Sequence, residues 1–430
     1  MDNQADSTTP PVVIESNGVP VVMAPRAVSS VVSWFGSIET YPEFDAAEEI
    51  VQDVATSLLN KGTVGRDRFS LAAELENRGA EISFGSHGTR VHFAGRALSR
   101  DVERVLELTA EQLSEPSFDP SEFEKSIQRM RASLRRSSSS TSYRAGAALR
   151  GRLFTEAHPN YSRDPAEDLD LVTACTIEQV RAFHKSHFSG QTLAVCAAGD
   201  FRAEEFASKV GRIFGGWTGD LQPGLFEAAG RIDPDPLLRE IDIPDRDNLD
   251  VRIGHAVNIK RNDPDYLALY LGIFVLGGNF SARLMQKVRN EMGLTYGIGS
   301  ALVGVDAAYE GMWHVSVTLS RDRLDAGIAA TMDEIRRFLD AGVTADELDA
   351  KKTTICGSYQ VGMSTTRGLA LTLHSNLRSG FPAEYLIEFP EAIRGLTLSQ
   401  VNEAIRKYLD FDRLRVVVAG SIATQRPRAF

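Results

Sequence analysis

Two segments of this 430-residue chain repeat each other at a fixed distance, and no other feature limits its fold as strongly. TIEQVRAFHKSHFSGQTLAVCAAGDF (176–201) aligns without gaps to TLSQVNEAIRKYLDFDRLRVVVAGSI (397–422), a constant offset of 221 residues. Each copy reads as a capped helix followed by an apolar strand that ends in Ala-Gly. A constant offset means one supersecondary unit used twice. The expected organisation is an N-terminal domain over 1–218, a linker over 219–236 where Pro and Gly gather without a period, and a C-terminal domain over 237–430.

Local patterning fixes the class of each unit. VVIE-SNG-VPVVMA (12–24) places Asn17-Gly18 between two apolar runs, and that dipeptide readily takes the positive φ angles of a tight hairpin turn. Over 45–60 the residues Ile50, Val54, Leu58 and Leu59 recur at helical spacing. A short helix over 69–79, strands around 80–86 and 89–97, and a helix near 99–114 follow. Hairpin-joined strands mixed with helices predict an α+β fold: two homologous domains, each a mixed, mostly antiparallel sheet with helices packed on one face.

Composition removes several classes of function. A net charge of −11 argues against a dedicated nucleic-acid binder, which needs Lys and Arg in local excess to neutralise phosphates, though it leaves room for a local basic patch. Cys175, Cys196 and Cys356 are odd in number and widely spaced, so neither a disulfide framework nor a zinc-knuckle spacing follows. No run reaches the roughly 20 apolar residues that cross a bilayer. The opening MDNQADSTTPPVV lacks the basic and apolar regions of a secretory signal, so the expectation is a soluble chain, cytoplasmic or periplasmic.

The opening hairpin, LLNKGTVGRDRFSLAAELENRGAEISF, AHPNYSRDPAEDL, the repeat, GLTY and EYLIEFPEAIRGLTLSQV occur in an order that resembles the insulinase/pitrilysin-type zinc peptidases. That family's signature is the inverted motif H-x-x-E-H. The resemblance spans nearly the whole chain. It implies two halves closing like a clamshell around a peptide-admitting chamber, and in some members a division of labour between a zinc-bearing subunit and a partner without zinc.

Against that family the metal half is missing. Counting back from Lys61-Gly62-Thr63, the five motif positions fall on Asp53, Val54, Ala55, Thr56 and Ser57. Asp53 and Ser57 stand where the two histidines would be, and Thr56 where the glutamate base would be. The third ligand is expected near Leu134, yet no Asp or Glu lies between Glu124 and Glu156. A catalytic zinc needs three protein ligands, an open position and a base, so no metal is assigned to this chain. His184 and His187 come without an acidic companion and read as a packed or solvated pair. Arg129, Arg131, Arg135 and Arg136 before Ser137–Ser140 read as a solvated helix face followed by a weakly helical stretch, and Gly277-Gly278 as a turn.

What the resemblance leaves in place is Arg289 and Tyr296 in LGGNFSARLMQKVRNEMGLTY. RLMQKVRNEM reads as a helix closed by Gly293, and LTYGIGSALV as the strand that follows. In the resembled family, an Arg and a Tyr at this spacing reach toward the scissile peptide, where both can donate hydrogen bonds to a carbonyl or a developing oxyanion. The expectation is therefore a metal-free subunit of a heterodimeric zinc peptidase. Arg289 and Tyr296 would be contributed in trans, a paralogous partner would carry zinc, and peptides would bind as an added β-strand. The alternative is an inert structural or peptide-binding scaffold of the same fold.

Overall fold

Asn17 and Gly18 take φ angles of 49° and 79°, the pair of positive values a two-residue hairpin turn requires. The turn joins β1 (Val12–Ser16) to β2 (Val19–Pro25), so the first structural signal in the sequence is also the first element of the fold. In the computed structural model, residues 10–27, 30–41, 45–217 and 236–422 are described. The expected linker, 219–236, lies outside them except for Pro236.

One sheet adds β3 (Val31–Glu39), β4 (Glu81–His87), β5 (Arg90–Leu98) and β6 (Ala194–Gly199) to the hairpin, in the order β1-β2-β6-β3-β5-β4. The other contains β7 (Leu238–Asp242), β8 (Asn248–Val257), β9 (Thr295–Val303), β10 (Gly311–Ser320) and β11 (Arg415–Gly420), in the order β7-β11-β8-β10-β9. β2–β6 and β7–β11 pair in parallel, and the other paired strands are antiparallel. The second sheet therefore repeats β2-β6-β3-β5-β4 strand for strand, and the class is the α+β fold read from the sequence.

The repeat is visible atom by atom. The helices Ile177–His187 and Leu398–Tyr408 both open on a complete capping box, Thr176 with Gln179 and Thr397 with Gln400. Both run into a buried strand ending in a glycine with positive φ, 139° at Gly199 and 153° at Gly420. At Gly199 a Cβ would stand 2.1 Å from the Val31 carbonyl oxygen, so the terminal glycine is required by close approach as well as by φ.

The compact units are not the two contiguous halves. The first contains the chain up to Arg131, Asp170–Leu225 and Gly357–Glu391; the second contains Ala132–Leu169, Phe226–Cys356 and the residues from Ala392 on. The physical reason lies in the sheet faces. Neighbouring residues on a strand point to opposite faces. In the first unit Phe93 stacks on Phe214 of the helix Ala203–Phe214, with ring centroids 6.1 Å apart, so a helix of the same repeat covers that face. Ala94, one residue on, belongs instead to a cluster with Val22, Ala24, Phe35, Cys196 and Ala198. That second face is covered by Leu369, Ala370 and Leu373 of the helix Thr366–Arg378, a segment of the C-terminal half.

Polar contacts fix the helix in place. Ser33 Oγ lies 2.9 Å from Thr366 Oγ1, Ser37 Oγ 2.9 Å from His374 Nε2, and Arg378 pairs with Glu39. The second unit mirrors this with a segment of the N-terminal half. Ala145, Leu149 and Leu153 of the helix Thr141–Leu153 pack on Ala256, Met312, Val417 and Ala419. Thr141 Oγ1 donates to Asp250 Oδ2 at 2.6 Å. Each sheet thus has the expected helical layer on one face and a helix from the other half of the sequence on the opposite face.

Candidate functional site

The positions expected to correspond to the inverted zinc motif lie on the helix Ala46–Leu58, which starts where Asp45 accepts a hydrogen bond from the Ala47 amide at 2.7 Å. Asp53 accepts a 2.6 Å hydrogen bond from Ser86 of β4. Thr56 is buried, and its hydroxyl has no hydrogen-bond partner among the described residues. Ser57 Oγ bonds its own helix at the Val54 carbonyl, 2.8 Å away, and meets Ser126 Oγ at 2.5 Å. Ser126 belongs to the helix Pro120–Ser138, which also carries Leu134, and it is almost fully buried.

A zinc ion requires ligands that are anionic or carry a free imidazole nitrogen. Asp53 alone among these positions is a ligating type, and its carboxylate is engaged by Ser86; a pair of neutral hydroxyls, a buried threonine and a leucine do not supply the other ligands or the base. Among the described residues, no group of three or more His, Cys, Asp and Glu could hold a metal ion. The residues present therefore do not fit zinc, and no chemistry is routed through it here. Ser126 was not identifiable in the sequence, because its meeting with Ser57 depends on how two helices pack.

The other sequence candidates have structural roles. His184 Nε2 lies 2.8 Å from the Leu113 carbonyl, and burial lowers the pKa of this imidazole. The His187 ring stacks on Phe183, centroids 4.2 Å apart. Ser137 and Ser138 continue the arginine-bearing helix rather than weakening it, and Ser140 accepts from the Tyr143 amide as the next N-cap. Gly277, expected in a turn, is the last residue of the helix Tyr266–Gly277, and Gly278 is its C-cap.

Arg289 and Tyr296 both sit on departures from regular structure. The predicted helix is present at Met285–Glu291, but it is a π-helix, with the Met292 amide reaching back to the Lys287 carbonyl at 3.1 Å. Such wide turns are rare and recur at functional sites. Gly293 follows with φ 62°, its amide bonded to the Arg289 carbonyl at 3.1 Å, so the expected glycine stop is present. The Arg289 guanidinium stands 5.6 Å from the centroid of the Phe280 ring, within cation–π range.

In β9, Gly297 opposes Thr318 while Thr295 opposes Leu319, which leaves Tyr296 as the extra residue of a β-bulge. The Thr295 hydroxyl closes the bulge, accepting from the Gly297 amide at 3.1 Å and donating to the Thr318 carbonyl at 2.5 Å. A bulge re-aims a side chain, and here Tyr296 is 95% exposed. Thr295→Val keeps the side-chain shape but removes the clamp. It is expected to cost about 1 kcal/mol in urea unfolding and to speed amide hydrogen exchange at Gly297. A Gly297 amide as protected as in the parent chain would show that the hydroxyl does not hold the bulge.

Two family models match separate parts of the chain: "Insulinase (Peptidase family M16)" over residues 55–155 and "Peptidase M16 inactive domain" over 174–355. Between them they take in more than half of its length.

The chain belongs to the insulinase family, M16.

The inactive-domain match includes both Arg289 and Tyr296. Among curated relatives, the chain is similar to the non-peptidase homolog YmxG of Helicobacter pylori, with 21% identity covering 85% of this chain and 83% of that protein. It is also similar to an uncharacterized zinc protease of Streptomyces coelicolor, with 23% identity covering 78% of this chain and 72% of that protein. A peptidase M16 inactive domain from Pseudomonas fluorescens superposes with a TM-score of 0.85 at 22% identity, covering 97% of this chain and all of that one. A Helicobacter pylori protease superposes at 0.82 with 14% identity, covering 96% of this chain and all of that one. At such identities the structural likeness establishes the M16 fold. Among the described residues, no helix is long and apolar enough to cross a membrane.

Proposed function

We propose that this M16 chain is the non-zinc-binding subunit of a heterodimeric metallopeptidase. A paralogous partner supplies H-x-x-E-H, its glutamate base and the zinc. This chain supplies Arg289 and Tyr296 in trans, to bind the substrate peptide and to stabilise the oxyanion formed when its carbonyl is attacked. The observation that carries the reading is the presentation of the pair. A π-turn holds one residue and a clamped bulge the other, and the phenol is directed into solvent. Regular helix and strand would have served packing equally well.

Peptide recognition fits the same region. β9 is an edge strand of its sheet, paired on one side by β10, and Tyr296 stands near its start. An extended segment could hydrogen-bond along such an edge and bring its main-chain carbonyls past the phenol.

The purified chain is expected to bind no stoichiometric zinc and to cleave no peptide, and the partner subunit is expected to restore cleavage. Metal analysis together with a peptidase assay on the chain, alone and with its co-purified partner, tests this. Chelator-sensitive cleavage by the lone chain would sink the proposal.

A further inference from the structure

Phe280 presents its ring to solvent at 75% exposure, and the structure around it is built to keep it there. On the helix Ala345–Gly362, Lys351 is 4% exposed, an uncommon position for an ammonium group. That ammonium donates to Asn279 Oδ1 at 2.9 Å and to Ser281 Oγ at 2.7 Å, the residues on either side of Phe280. Burial lowers the lysine's pKa, with Glu347 opposing the shift. Ser281 adds bonds from its amide and hydroxyl to Asn279 Oδ1, at 3.2 and 3.1 Å.

The Phe280 carbonyl accepts from Gln286 Nε2 at 3.1 Å, and Gln286 Oε1 accepts from Asn290 Nδ2 at 3.1 Å. The backbone is therefore held before, at and after the phenylalanine, while its ring is left without a core to enter. Arg289 rests 5.6 Å from the ring centroid. Fixing an aromatic ring in the open before anything binds lowers the ordering cost of a later contact.

We infer that Phe280 is a specificity-determining residue of this chain, its ring forming the floor of a subsite for one apolar side chain of an extended peptide beside Arg289. The inference rests on the reading above, in which Arg289 meets a peptide. The size of the surface selects the occupant. One exposed aromatic ring offers at most roughly 150–250 Å². A stable interface between folded chains buries about 800 Å² on each partner. The patch therefore suits a single side chain and not a second copy of the protein.

The test is fluorescence anisotropy on the full chain with two labelled alanine-based peptides, identical except for a central leucine or serine. The leucine peptide is expected to bind more tightly to the parent chain. Phe280→Ala is expected to remove that preference by weakening the leucine peptide about tenfold, and Phe280→Tyr to retain it. Lys351→Met, which leaves the ring intact, is expected to act in the same direction as Phe280→Ala. If Lys351→Met does not fold, the Phe280→Ala and Phe280→Tyr pair decides alone.

An undiminished leucine preference in Phe280→Ala overturns the inference. So does a self-association of the parent chain that Phe280→Ala abolishes while peptide binding is unchanged. Arg289→Ala separates the two readings. If it leaves both peptides bound as before while Phe280→Ala still removes the preference, the subsite stands and a share of Arg289 in holding the bound peptide falls, its oxyanion role being read separately in kcat. If the parent chain binds neither peptide, the subsite falls, while cleavage restored by the partner subunit would still uphold the proposed function.

Discussion

Residues 1–218 produced alone are expected to remain unfolded, and to regain a cooperative urea transition when 237–430 is produced beside them. The N-terminal fragment retains all six strands of its sheet but loses the helix Thr366–Arg378. Val22, Ala24, Phe35, Ala94, Cys196 and Ala198 would then face water. Leaving one large apolar side chain exposed forfeits roughly 1.5–3 kcal/mol, and a whole domain is stable by only about 5–15 kcal/mol. Val22 and Phe35 together forfeit roughly 3–6 kcal/mol, and with the smaller residues of that face the loss reaches the lower part of that margin. Ser37, hydrogen-bonded to His374 in the intact chain, and Glu39, paired with Arg378, lose partners as well.

The C-terminal fragment has the reciprocal defect, since Ala256, Met312, Val417 and Ala419 lose the helix Thr141–Leu153. Mixing supplies each sheet with its missing helix, so circular dichroism and urea unfolding of the mixture should approach those of the intact chain. A fragment 1–218 that unfolds cooperatively by itself, with the denaturant dependence expected for its full size, would show that the exchanged helix is dispensable.

The same exchange marks where sequence reading ends. The hairpin at Asn17-Gly18, the capped helices before β6 and β11 and the stop at Gly293 are dictated by chemistry within a few residues, and each stands where its signal placed it. The helix Thr366–Arg378 is different. The spacing of Leu369 and Leu373 announces an apolar face, but a helical period carries no information about which sheet that face will cover.

The site divides along the same line. The expectation that Asp53, Thr56 and Ser57 stand in place of a zinc motif rests on residue types alone, whereas the Ser57–Ser126 contact depends on packing and left no signal. Tyr296 was a candidate in the sequence but its strand read as regular, although Gly297 beside it was a usable hint, because a glycine in a strand often marks a bulge. The buried Lys351 that brackets Phe280 comes from a helix some seventy residues further along the chain, beyond the reach of any local pattern.

In the proposed heterodimer, Arg289→Ala and Tyr296→Phe are each expected to lower kcat by roughly 10² to 10³, the usual loss when one oxyanion donor is removed. Tyr296→Phe is the cleaner of the two. It deletes only the hydroxyl, and the ring is already exposed and the bulge is closed by Thr295, so neither packing nor backbone changes. Its effect should therefore appear in kcat, with KM and the heterodimer's elution volume unmoved. An interaction made only in the transition state behaves in this way.

Arg289→Ala also removes the cation over Phe280, so some rise in KM is expected alongside the fall in kcat. Arg289→Lys should restore little, because a point charge cannot reproduce the paired donors of a guanidinium. The double variant should lose less than the product of the two single losses, since donors serving one oxyanion act as a unit. Steady-state kinetics on a single peptide substrate, with gel filtration of each complex, distinguishes the outcomes. If both variants assemble and keep parental kcat, Arg289 and Tyr296 are surface residues and the chain acts as a scaffold for its partner.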